Sequence, residues 1–255
     1  IHELGGKGVF VKRLEEALVM GDADIAVHSL KDVPADLNDE FQIVATLERA
    51  NPSDSIIFKE SITLDQLKDK SIVATSSPRR AAQVKLFNRS LEVCPVRGNI
   101  HTRIKKLKDN EFDALVIATA ALNRLQLNLE NVEEIDSSVM LPAATQAIIG
   151  IEVGRDINPQ KLEIIKSINH HETYFIASVE RKIIKYLEGD CNSAIALICK
   201  KVEESTFEVN LRAFDHKSLK VEKIDMCFIG AELDQFYLEL FNKIEDLKIK
   251  ELISN

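Results

Sequence analysis

Short runs of β-branched and apolar residues alternate with segments of helical periodicity up to about residue 168, and this alternation restricts the fold more than any other feature. Aromatic residues are only 5% of the 255 residues and Trp is absent, so the cores must consist of Ile, Leu, Val and Ala. The alternation predicts an α/β fold with a largely parallel sheet. The predicted strands are 24–27, 43–47, 71–74 and 114–118, with helices such as 9–20 and 100–108 between them.

The pattern changes near residue 170, where we place a domain boundary. A long helix is predicted over 169–187. Apolar and polar residues then alternate from Phe207 to Ala213, and a further strand is predicted over 219–229, which together indicate an antiparallel sheet with one solvent-facing side. Helical spacing over 231–249 predicts a helix that covers this sheet. A chain of this length is expected to form two or three compact units.

Charge, apolar run lengths and cysteine content exclude several classes of protein. A net charge of −8 argues against a general nucleic-acid-binding surface. Apolar runs such as 194–199 are far shorter than the roughly 20 residues that span a membrane. Four cysteines in a long chain without a secretion leader do not indicate a disulfide scaffold, so we expect a reducing, cytoplasmic location. Because the chain begins with Ile1 rather than Met, we expect an upstream piece to be missing.

Basic residues are concentrated between Ser77 and Lys106, where Glu92 is the only acid. Such a local excess of positive charge in an acidic protein predicts a small anionic ligand. The basic residues of this segment are Arg79, Arg80, Lys85, Arg89, Arg97, Arg103, Lys105 and Lys106.

The segment 71–80 is predicted to be a strand that leads directly into a helix. Pro78 suits the first helical position, and Ser76 or Ser77 can cap the helix. The N–H groups of that helix end, together with two adjacent arginines, would bind a carboxylate or phosphate. An ordinary cap with two solvated arginines is the alternative, and the pattern leaves both open.

A second basic segment, Arg97 to Asn99, lies between another predicted strand and helix, and Arg103 follows one turn later. Open α/β sheets bind ligands beyond the carboxyl ends of their strands, so we expect the two segments at one sheet edge. Lys105 and Lys106 are interpreted as a solvated face.

The segment 24–34 places His28, Ser29, Lys31 and Asp32 directly after a buried strand, which is a functional position in an α/β fold. A structural ion pair or a role in forming the turn is the alternative interpretation of Asp32.

The four cysteines fall into two groups. Cys94, Cys199 and Cys227 lie in apolar strand patterns and are predicted to be inert core residues. Cys191 follows a predicted helix end, with Gly189 at the expected C′ position, so its thiol is predicted to lie on a loop. The pattern alone leaves open a nucleophile, a metal ligand or no role.

The histidines do not indicate a metal site. No CxxC or HExxH spacing occurs, and the adjacent His170 and His171 point to different sides of a helix, so we expect no metal. A cysteine hydrolase that pairs Cys191 with one of them is disfavoured, because nothing in the sequence orders a base or an oxyanion hole.

Taken together, these segments resemble the porphobilinogen deaminase (hydroxymethylbilane synthase) family in order and approximate spacing, across nearly the whole chain. The segments that carry the resemblance are 5–12, 28–34, 75–80, 97–99, 141–143 with Gln146, 169–173 and 187–191.

The resemblance implies two α/β domains like those of type II periplasmic binding proteins and a smaller α+β domain with an antiparallel sheet. Domain 1 would comprise 1–49 and 145–168, domain 2 would comprise 50–144, and the C-terminal domain, 169–255, would carry the cofactor cysteine.

The resemblance also implies an enzyme of haem and tetrapyrrole biosynthesis. It would join four porphobilinogen molecules head to tail, releasing ammonia at each addition and finally hydroxymethylbilane. A dipyrromethane cofactor, held to Cys191 through a thioether, would prime the chain. Asp32 would be the catalytic residue, which stabilises cationic pyrrole species and assists proton transfer. The expected form is a cytoplasmic monomer whose partner is porphobilinogen, without nucleic acid or membrane.

Because each pyrrole carries acetate and propionate groups, the family uses arginines that bind carboxylates through two hydrogen bonds. Besides Cys191 and Asp32, the implied cofactor contacts are Ser29, Lys31, Thr75, Ser76, Ser77, Arg79, Arg80, Arg97, Gly98 and Asn99. The implied substrate contacts are Lys7, Arg97, Arg103, Arg124 and Gln146.

The sequence departs from the family pattern in three places. The N-terminal Arg-x-Ser segment is absent, which is expected to impair the chain. Asp190 replaces the glycine before Cys191, adding a carboxylate near the thiol. Thr145 and Ala147 replace the glycines around Gln146, where we expect hinge motion or cofactor packing to differ.

A non-catalytic protein of the periplasmic-binding type, with a small carboxylate or phosphate as its ligand, is the alternative from another functional class. It would share the α/β domains and the arginines but would have no need of Cys191 or Asp32.

Overall fold

The computed structural model describes residues 8–127, 129–190, 192–215 and 218–254. The chain divides into two compact units, of which the first comprises Ile1–Ala50 and Ala144–Tyr186 and the second comprises Asn51–Ala143 and Leu187–Asn255. The chain therefore leaves the first unit once and returns to it. The division into three domains stays a prediction. Among the described helices, none has the length and apolar character that a membrane crossing requires.

The secondary structure follows the chain in a mixed order of helices and strands. The helices are α1 (Gly8–Met20), α2 (Pro78–Phe87), α3 (Ile100–Lys108), α4 (Thr119–Arg124), α5 (Pro159–Lys166), α6 (His171–Tyr186), α7 (Leu233–Asp246) and α8 (Ile249–Ile253). The strands are β1 (Ala26–Ser29), β2 (Phe41–Thr46), β3 (Asp54–Phe58), β4 (Ile72–Ala74), β5 (Glu92–Cys94), β6 (Ala114–Ala118), β7 (Val132–Ile135), β8 (Ile149–Gly154), β9 (Ile195–Lys201), β10 (Thr206–Phe214) and β11 (Val221–Ile229). Short 3-10 turns cover Leu30–Asp32, Leu64–Gln66 and Gly230–Glu232.

The first unit is built on the sheet β1-β8-β2, in which β8 runs antiparallel to both neighbours. Helix α6 packs on this unit through residues that recur every three or four positions and so share one face. The buried face of α6 includes Thr173, Ile176, Ala177, Glu180 and Ile183.

The larger sheet of the second unit has the order β5-β4-β6-β3-β7. Strand β4 is parallel to β5 and β6, whereas β3 is antiparallel to β6 and β7. Every residue of β3 and β6 is buried, because apolar clusters cover both faces of the sheet. A strand covered on both faces is apolar throughout, which is why the sequence predicts β6 with the bounds that the structure has.

The second unit also contains the antiparallel sheet β9-β10-β11. Helix α7 covers one face, where the rings of Phe228 and Phe236 stack with centroids 4.2 Å apart. Part of the opposite face is covered by Ala82 of α2 and by Leu141, which form one apolar cluster with Ala194, Ala196, Ile198 and Phe214. The predicted antiparallel sheet and its covering helix are therefore confirmed.

The predicted α/β fold class is confirmed, but the prediction of a largely parallel sheet is wrong for the first unit and incomplete for the second. In each of these two sheets one strand runs against the others, namely β8 in the first unit and β3 in the second. Along the chain, each is the first strand after the chain passes from one unit to the other. No crossover helix joins them to a neighbouring strand, so the rule that produces parallel pairs does not apply.

Three local predictions near the C-terminus are also wrong. The helix predicted over 231–249 is interrupted at Lys248, whose φ of 52° is left-handed and separates α7 from α8. Helix α6 ends at Tyr186, so Glu188 rather than Gly189 takes the left-handed conformation after it, with φ of 54°. Cys227 is exposed, not buried, because it alternates with Phe228 on the edge strand β11 and points to the opposite face.

Cysteine reactivity tests this arrangement. We expect Cys227 to be alkylated in the folded protein and Cys199, which is buried, only after unfolding. Burial raises the pKa of the Cys94 thiol, so Cys94 should react more slowly than Cys227. Brief treatment with iodoacetamide followed by site-resolved mass spectrometry measures the order. Equal labelling of Cys199 and Cys227 in the folded protein would contradict the arrangement.

Candidate active site

In the first unit, the candidate residues lie on a short turn at the end of β1. Ser29 ends the strand, and the fully buried Leu30 anchors the 3-10 turn that carries Lys31 and Asp32, both half-buried. The Lys31 Nζ donates a hydrogen bond of 3.0 Å to Oε1 of Gln146, whose side chain is fully buried. The structure thus brings Lys31 and Gln146 together, although they are 115 residues apart in sequence.

A buried carboxylate fixes the segment that carries Gln146. Glu180 of α6 is fully buried and its Oε1 lies 2.6 Å from Nη1 of Arg49. The same carboxylate accepts a hydrogen bond from the backbone N–H of Thr145, and the Arg49 Nε donates to the carbonyl of Gln146 at 3.0 Å. Arg49 and Glu180 therefore position the residue that holds Lys31. The sequence analysis missed both, since a Glu on an amphipathic helix indicates an exposed face.

His28 belongs to the interior and not to the edge of the sheet. It is 6% exposed, and its Nε2 lies 2.7 Å from Oε2 of the fully buried Glu152. Burial and the nearby Glu152 raise the pKa of Glu15. This part of the segment 24–34 therefore has a structural role in the first unit.

In the second unit, the segments that follow β4 and β5 meet, as the sequence predicts from parallel neighbouring strands. The N–H of Thr75 donates to the carbonyl of Cys94 at 2.9 Å. The Ser76 hydroxyl donates to the carbonyl of Val96 at 2.7 Å and accepts from the N–H of the same residue at 2.9 Å. These bonds hold the two loops side by side at the carboxyl edge of the sheet.

Helix α2 begins at this edge at the residue that the sequence predicts, but without the predicted cap by a serine side chain. Ser77 is the N-cap and Pro78 the first helical residue. The Ser77 side chain makes no capping hydrogen bond to the helix, and its own N–H donates to the Thr75 hydroxyl at 3.2 Å. The first N–H groups of α2 are thus not occupied by a side-chain cap, which is the arrangement that favours an anion.

Arg79 and Arg80 are buried and share one carboxylate, that of Asp54. Arg79 Nη2 lies 2.7 Å from Oδ2 and Arg80 Nη2 lies 2.6 Å from Oδ1, while their Nη1 atoms donate to the carbonyls of Leu141 and Val116. Burial lowers the pKa of Arg79, and Asp54 partly offsets this. The alternative of two solvated arginines is excluded. Their contact with cofactor carboxylates stays a prediction.

The sequence analysis did not identify Asp54. It is the first residue of β3 and is fully buried, although it lies at the start of an apolar strand. A single acid at a strand end usually indicates a solvent-exposed turn. The one indication in the sequence is the pair of adjacent arginines without a nearby acid. If both are buried, their guanidinium groups need an acidic partner from elsewhere in the chain.

Gly98 and Asn99 shape the loop after β5. The Asn99 side chain accepts a hydrogen bond of 2.9 Å from the N–H of Thr102 and so caps α3. Gly98 has φ of 113°, and a Cβ built there would lie 2.8 Å from Cγ2 of Thr102. The Arg103 Nε donates to the Gly98 carbonyl at 2.7 Å. Burial, and to a lesser extent the charge of Arg80, lower the pKa of Arg103.

The remaining candidates are less constrained. Arg97 and Arg124 are exposed, with Arg124 at the end of the short helix that follows β6. Lys7 and Cys191 lie outside the described residues. Their predicted contacts with substrate and cofactor stay predictions.

Asp190, which directly precedes Cys191, forms hydrogen bonds with two residues that follow it. Its carboxylate accepts hydrogen bonds from the N–H of Asn192 at 2.8 Å and from the hydroxyl of Ser193 at 3.0 Å. Burial raises the pKa of Asp190, but these hydrogen bonds outweigh it and the net shift is downward. Asp190 has no positive φ, so the backbone does not require the glycine of the family at this position.

The comparison with protein families decides where this chain belongs. Residues 1–161 match the family model described as "Porphobilinogen deaminase, dipyromethane cofactor binding domain". The chain belongs to the porphobilinogen deaminase family. The resemblance drawn from the sequence motifs is thereby confirmed, and so is the predicted cofactor class, because the matched domain is the one that binds dipyrromethane.

Curated porphobilinogen deaminases are similar to this chain over most of its length. The enzyme of Lawsonia intracellularis is 43% identical over 204 residues, which is 79% of this chain and 66% of that protein. The enzyme of Halalkalibacterium halodurans is 41% identical over 210 residues, 82% of this chain and 67% of that protein. A Clostridium botulinum enzyme is 36% identical over 223 residues, which is 88% of this chain and 76% of that protein. The chain thus spans about two thirds of the length of the first two relatives.

Solved structures of binding proteins are more distant. An extracellular-binding protein of an amino-acid ABC transporter from Bacillus subtilis has a TM-score of 0.41 at 15% identity, covering 62% of this chain and 68% of that one. An ancestral arginine-binding protein has a TM-score of 0.37 at 19% identity, covering 68% of this chain and 71% of that one.

The structure accounts for two of the positions at which this chain departs from the porphobilinogen deaminase pattern. Thr145 and Ala147, where the family has glycines, have φ of 54° and 68°. A left-handed residue with a Cβ costs about 1–2 kcal/mol. The hydrogen bond from the Thr145 N–H to Glu180 helps to hold this conformation. These two positions therefore adopt a backbone conformation that favours glycine, at a cost in stability.

Asp54→Asn is expected to lower the free energy of unfolding by about 3–5 kcal/mol, because it leaves two buried guanidinium groups without their counter-charge. Asp24→Asn is the matched control. Asp24 lies 2.6 Å from Lys161 Nζ in an exposed pair, so its loss should cost less than about 1 kcal/mol. Urea unfolding measures both values, and equal destabilisation would refute the role of Asp54.

Gly98→Ala is expected to destabilise the protein more than Gly21→Ala. Both glycines have positive φ, so in both variants the alanine must adopt a left-handed conformation, which costs about 1–2 kcal/mol. A Cβ at Gly21 meets nothing within 4 Å, whereas one at Gly98 meets Thr102. Adding Thr102→Ser to Gly98→Ala removes the methyl group and should restore part of the loss in thermal melting. No difference between the two single variants would contradict this geometry.

Proposed function

We propose that this chain is the catalytic part of a porphobilinogen deaminase, which joins porphobilinogen molecules head to tail on a dipyrromethane and releases ammonia at each step and finally hydroxymethylbilane. The observation that carries the proposal is the match of residues 1–161 to the cofactor-binding domain of this family. Five relatives that are each similar to this chain over 75% or more of its length are named porphobilinogen deaminase.

The carboxyl edge of the larger sheet fits a group that carries several carboxylates. It offers the N–H groups at the start of α2, the partly buried Arg103 and the exposed loop of Gly98. The Nε of Arg79 is buried and has no hydrogen-bond partner among the described residues. These donors would hold the acetate and propionate groups of the cofactor and substrate, and Arg97 and Arg124 would add exposed positive charge.

Asp32 is the proposed catalytic residue, with Lys31 beside it. Its carboxylate sits on a turn anchored by the buried Leu30, and a fixed, half-buried negative charge stabilises a cationic pyrrole nitrogen better than a solvated one does. The same carboxylate would take and return the proton at that nitrogen. Gln146, held by Arg49, fixes Lys31 and so limits the motion of the turn.

Cys191 would tether the cofactor as a thioether, because a thiolate attacks the electrophilic methylene that remains when an aminomethylpyrrole loses ammonia. When bound, the dipyrromethane supplies the pyrrole carbon to which the next substrate methylene is joined. We further propose that the enzyme acts as a cytoplasmic monomer without nucleic acid.

Intact mass measurement tests the tether. The full protein, purified from cells that make porphobilinogen, should carry a covalent increment of two pyrrole units that is absent from Cys191→Ser. Cys227→Ser, which removes an exposed thiol elsewhere, should keep the increment. An unmodified wild-type protein would contradict the proposal.

Asp32→Asn should lower the rate of porphobilinogen consumption by roughly 10²–10⁴-fold, the usual contribution of a positioned acid or base. The cofactor increment and the melting temperature should stay unchanged. Asp36→Asn is the control, because Asp36 lies four residues after Asp32, is exposed, and pairs with Lys185 alone among the described residues. Wild-type turnover in Asp32→Asn would remove Asp32 from the mechanism.

A further inference from the structure

The first unit contains a cavity behind the turn that carries Lys31 and Asp32. Its volume is about 240 Å³, and it lies between the 3-10 turn, strand β2 and helix α6. All of its wall residues belong to this unit. They are Leu30, Leu37, Ile43, Thr46, Tyr174, Ala177, Ser178 and Arg181.

Arg181 is the one cation in the cavity wall, and no carboxylate of the described residues lies within ion-pair distance of it. Its Nη2 donates to the carbonyl of Pro34 at 2.7 Å and, more weakly, to that of Ala35 at 3.4 Å, while Nη1 donates to the carbonyl of Val33 at 3.3 Å. Burial lowers the pKa of Arg181, and the charge of Glu152 offsets part of this. A partly buried guanidinium held only by neutral carbonyls retains a strong attraction for an anion.

Thr46 supplies a second polar group at the wall. The residue is fully buried, and its hydroxyl has no hydrogen-bond partner among the described residues. Nearly all buried polar groups in folded proteins are paired, so Thr46 leaves an unsatisfied hydroxyl beside the cavity.

The rest of the wall limits the size and nature of the molecule. Leu30, Leu37, Ile43 and Ala177 form an apolar surface that belongs to the core cluster of this unit. A volume of about 240 Å³ is smaller than that of most ligand sites and suits a molecule of about ten non-hydrogen atoms. An apolar wall with a single cation matches an acid that has one charged group and a compact hydrocarbon body.

We propose that this cavity binds a small monocarboxylate with a branched aliphatic or single-ring body, whose carboxylate contacts Arg181. The site is separate from the carboxyl edge of the larger sheet, which belongs to the other unit. Leu30 directly precedes Lys31, and Arg181 holds the carbonyls of the residues that follow Asp32. The bound acid therefore contacts the inner side of the segment that carries the proposed catalytic residue.

The probe is 4-methylpentanoate, compared with 4-methylpentanamide, which has the same shape without the charge. We expect the acid to bind saturably with a Kd on the order of 1 mM, as its small size allows, and the amide to bind at least about tenfold more weakly. Methyl NMR titration measures both and locates the site, since Leu37 and Ile43 should shift together.

Arg181→Gln should weaken binding of the acid at least about tenfold and leave binding of the amide unchanged, because only the charged contact is lost. Arg155→Gln is the matched control, as Arg155 donates to the Asp39 carbonyl at 2.6 Å on the exposed surface of the same unit, away from the cavity. Ala177→Leu fills the cavity without removing Arg181 and should abolish binding of both compounds while the protein stays folded.

Equal affinity for the acid and the amide would overturn the proposal, as would unchanged binding of the acid to Arg181→Gln. Saturable binding whose NMR shifts exclude Leu37 and Ile43 would also overturn it. If Arg181→Gln does not fold, the Ala177→Leu variant and the comparison of the acid with the amide still test whether the cavity binds the acid. Neither readout uses porphobilinogen turnover, so the outcome is independent of the proposed function.

Discussion

Two buried carboxylates determine how this chain presents its functional residues. Asp54 neutralises Arg79 and Arg80 at the carboxyl edge of the larger sheet, and Glu180 holds Arg49 and the backbone of Thr145 in the first unit. A buried ion pair adds little net stability compared with apolar residues, but the loss of one partner is costly. Such pairs therefore act as positional constraints, since the surrounding backbone cannot move without exposing an uncompensated charge.

The same constraint separates the arginines into two kinds. Arg79 and Arg80 are fixed by the protein itself, whereas Arg97, Arg103 and Arg124 make no ion pair with the described residues and are more accessible. A site that neutralises several carboxylates of a growing chain benefits from both. The fixed pair holds the start of α2, and in the proposed function the accessible arginines would contact ligands of different length.

In the first unit, buried bonds link residues that are far apart in sequence. Glu180 holds Arg49, Arg49 holds the carbonyl of Gln146, and Gln146 holds Lys31. Thr145 and Ala147, on either side of Gln146, both have a left-handed backbone. This chain of contacts thus holds the turn that carries Asp32 through Lys31, and Arg181, which also lines the proposed cavity, holds the residues that follow the turn.

The sequence by itself determined the α/β class, the bounds of β6 and α3, the antiparallel C-terminal sheet and the family, because periodicity and motif spacing are local properties of the chain. It also predicted that the loops after β4 and β5 meet, which follows from parallel neighbouring strands. Only the tertiary structure decided the reversed direction of β3 and β8, the exposure of Cys227, the burial of Arg79 and Arg80 and the roles of Asp54 and Glu180. Strand direction and charge pairing depend on contacts between distant segments, and no local pattern encodes which distant segment will be the partner.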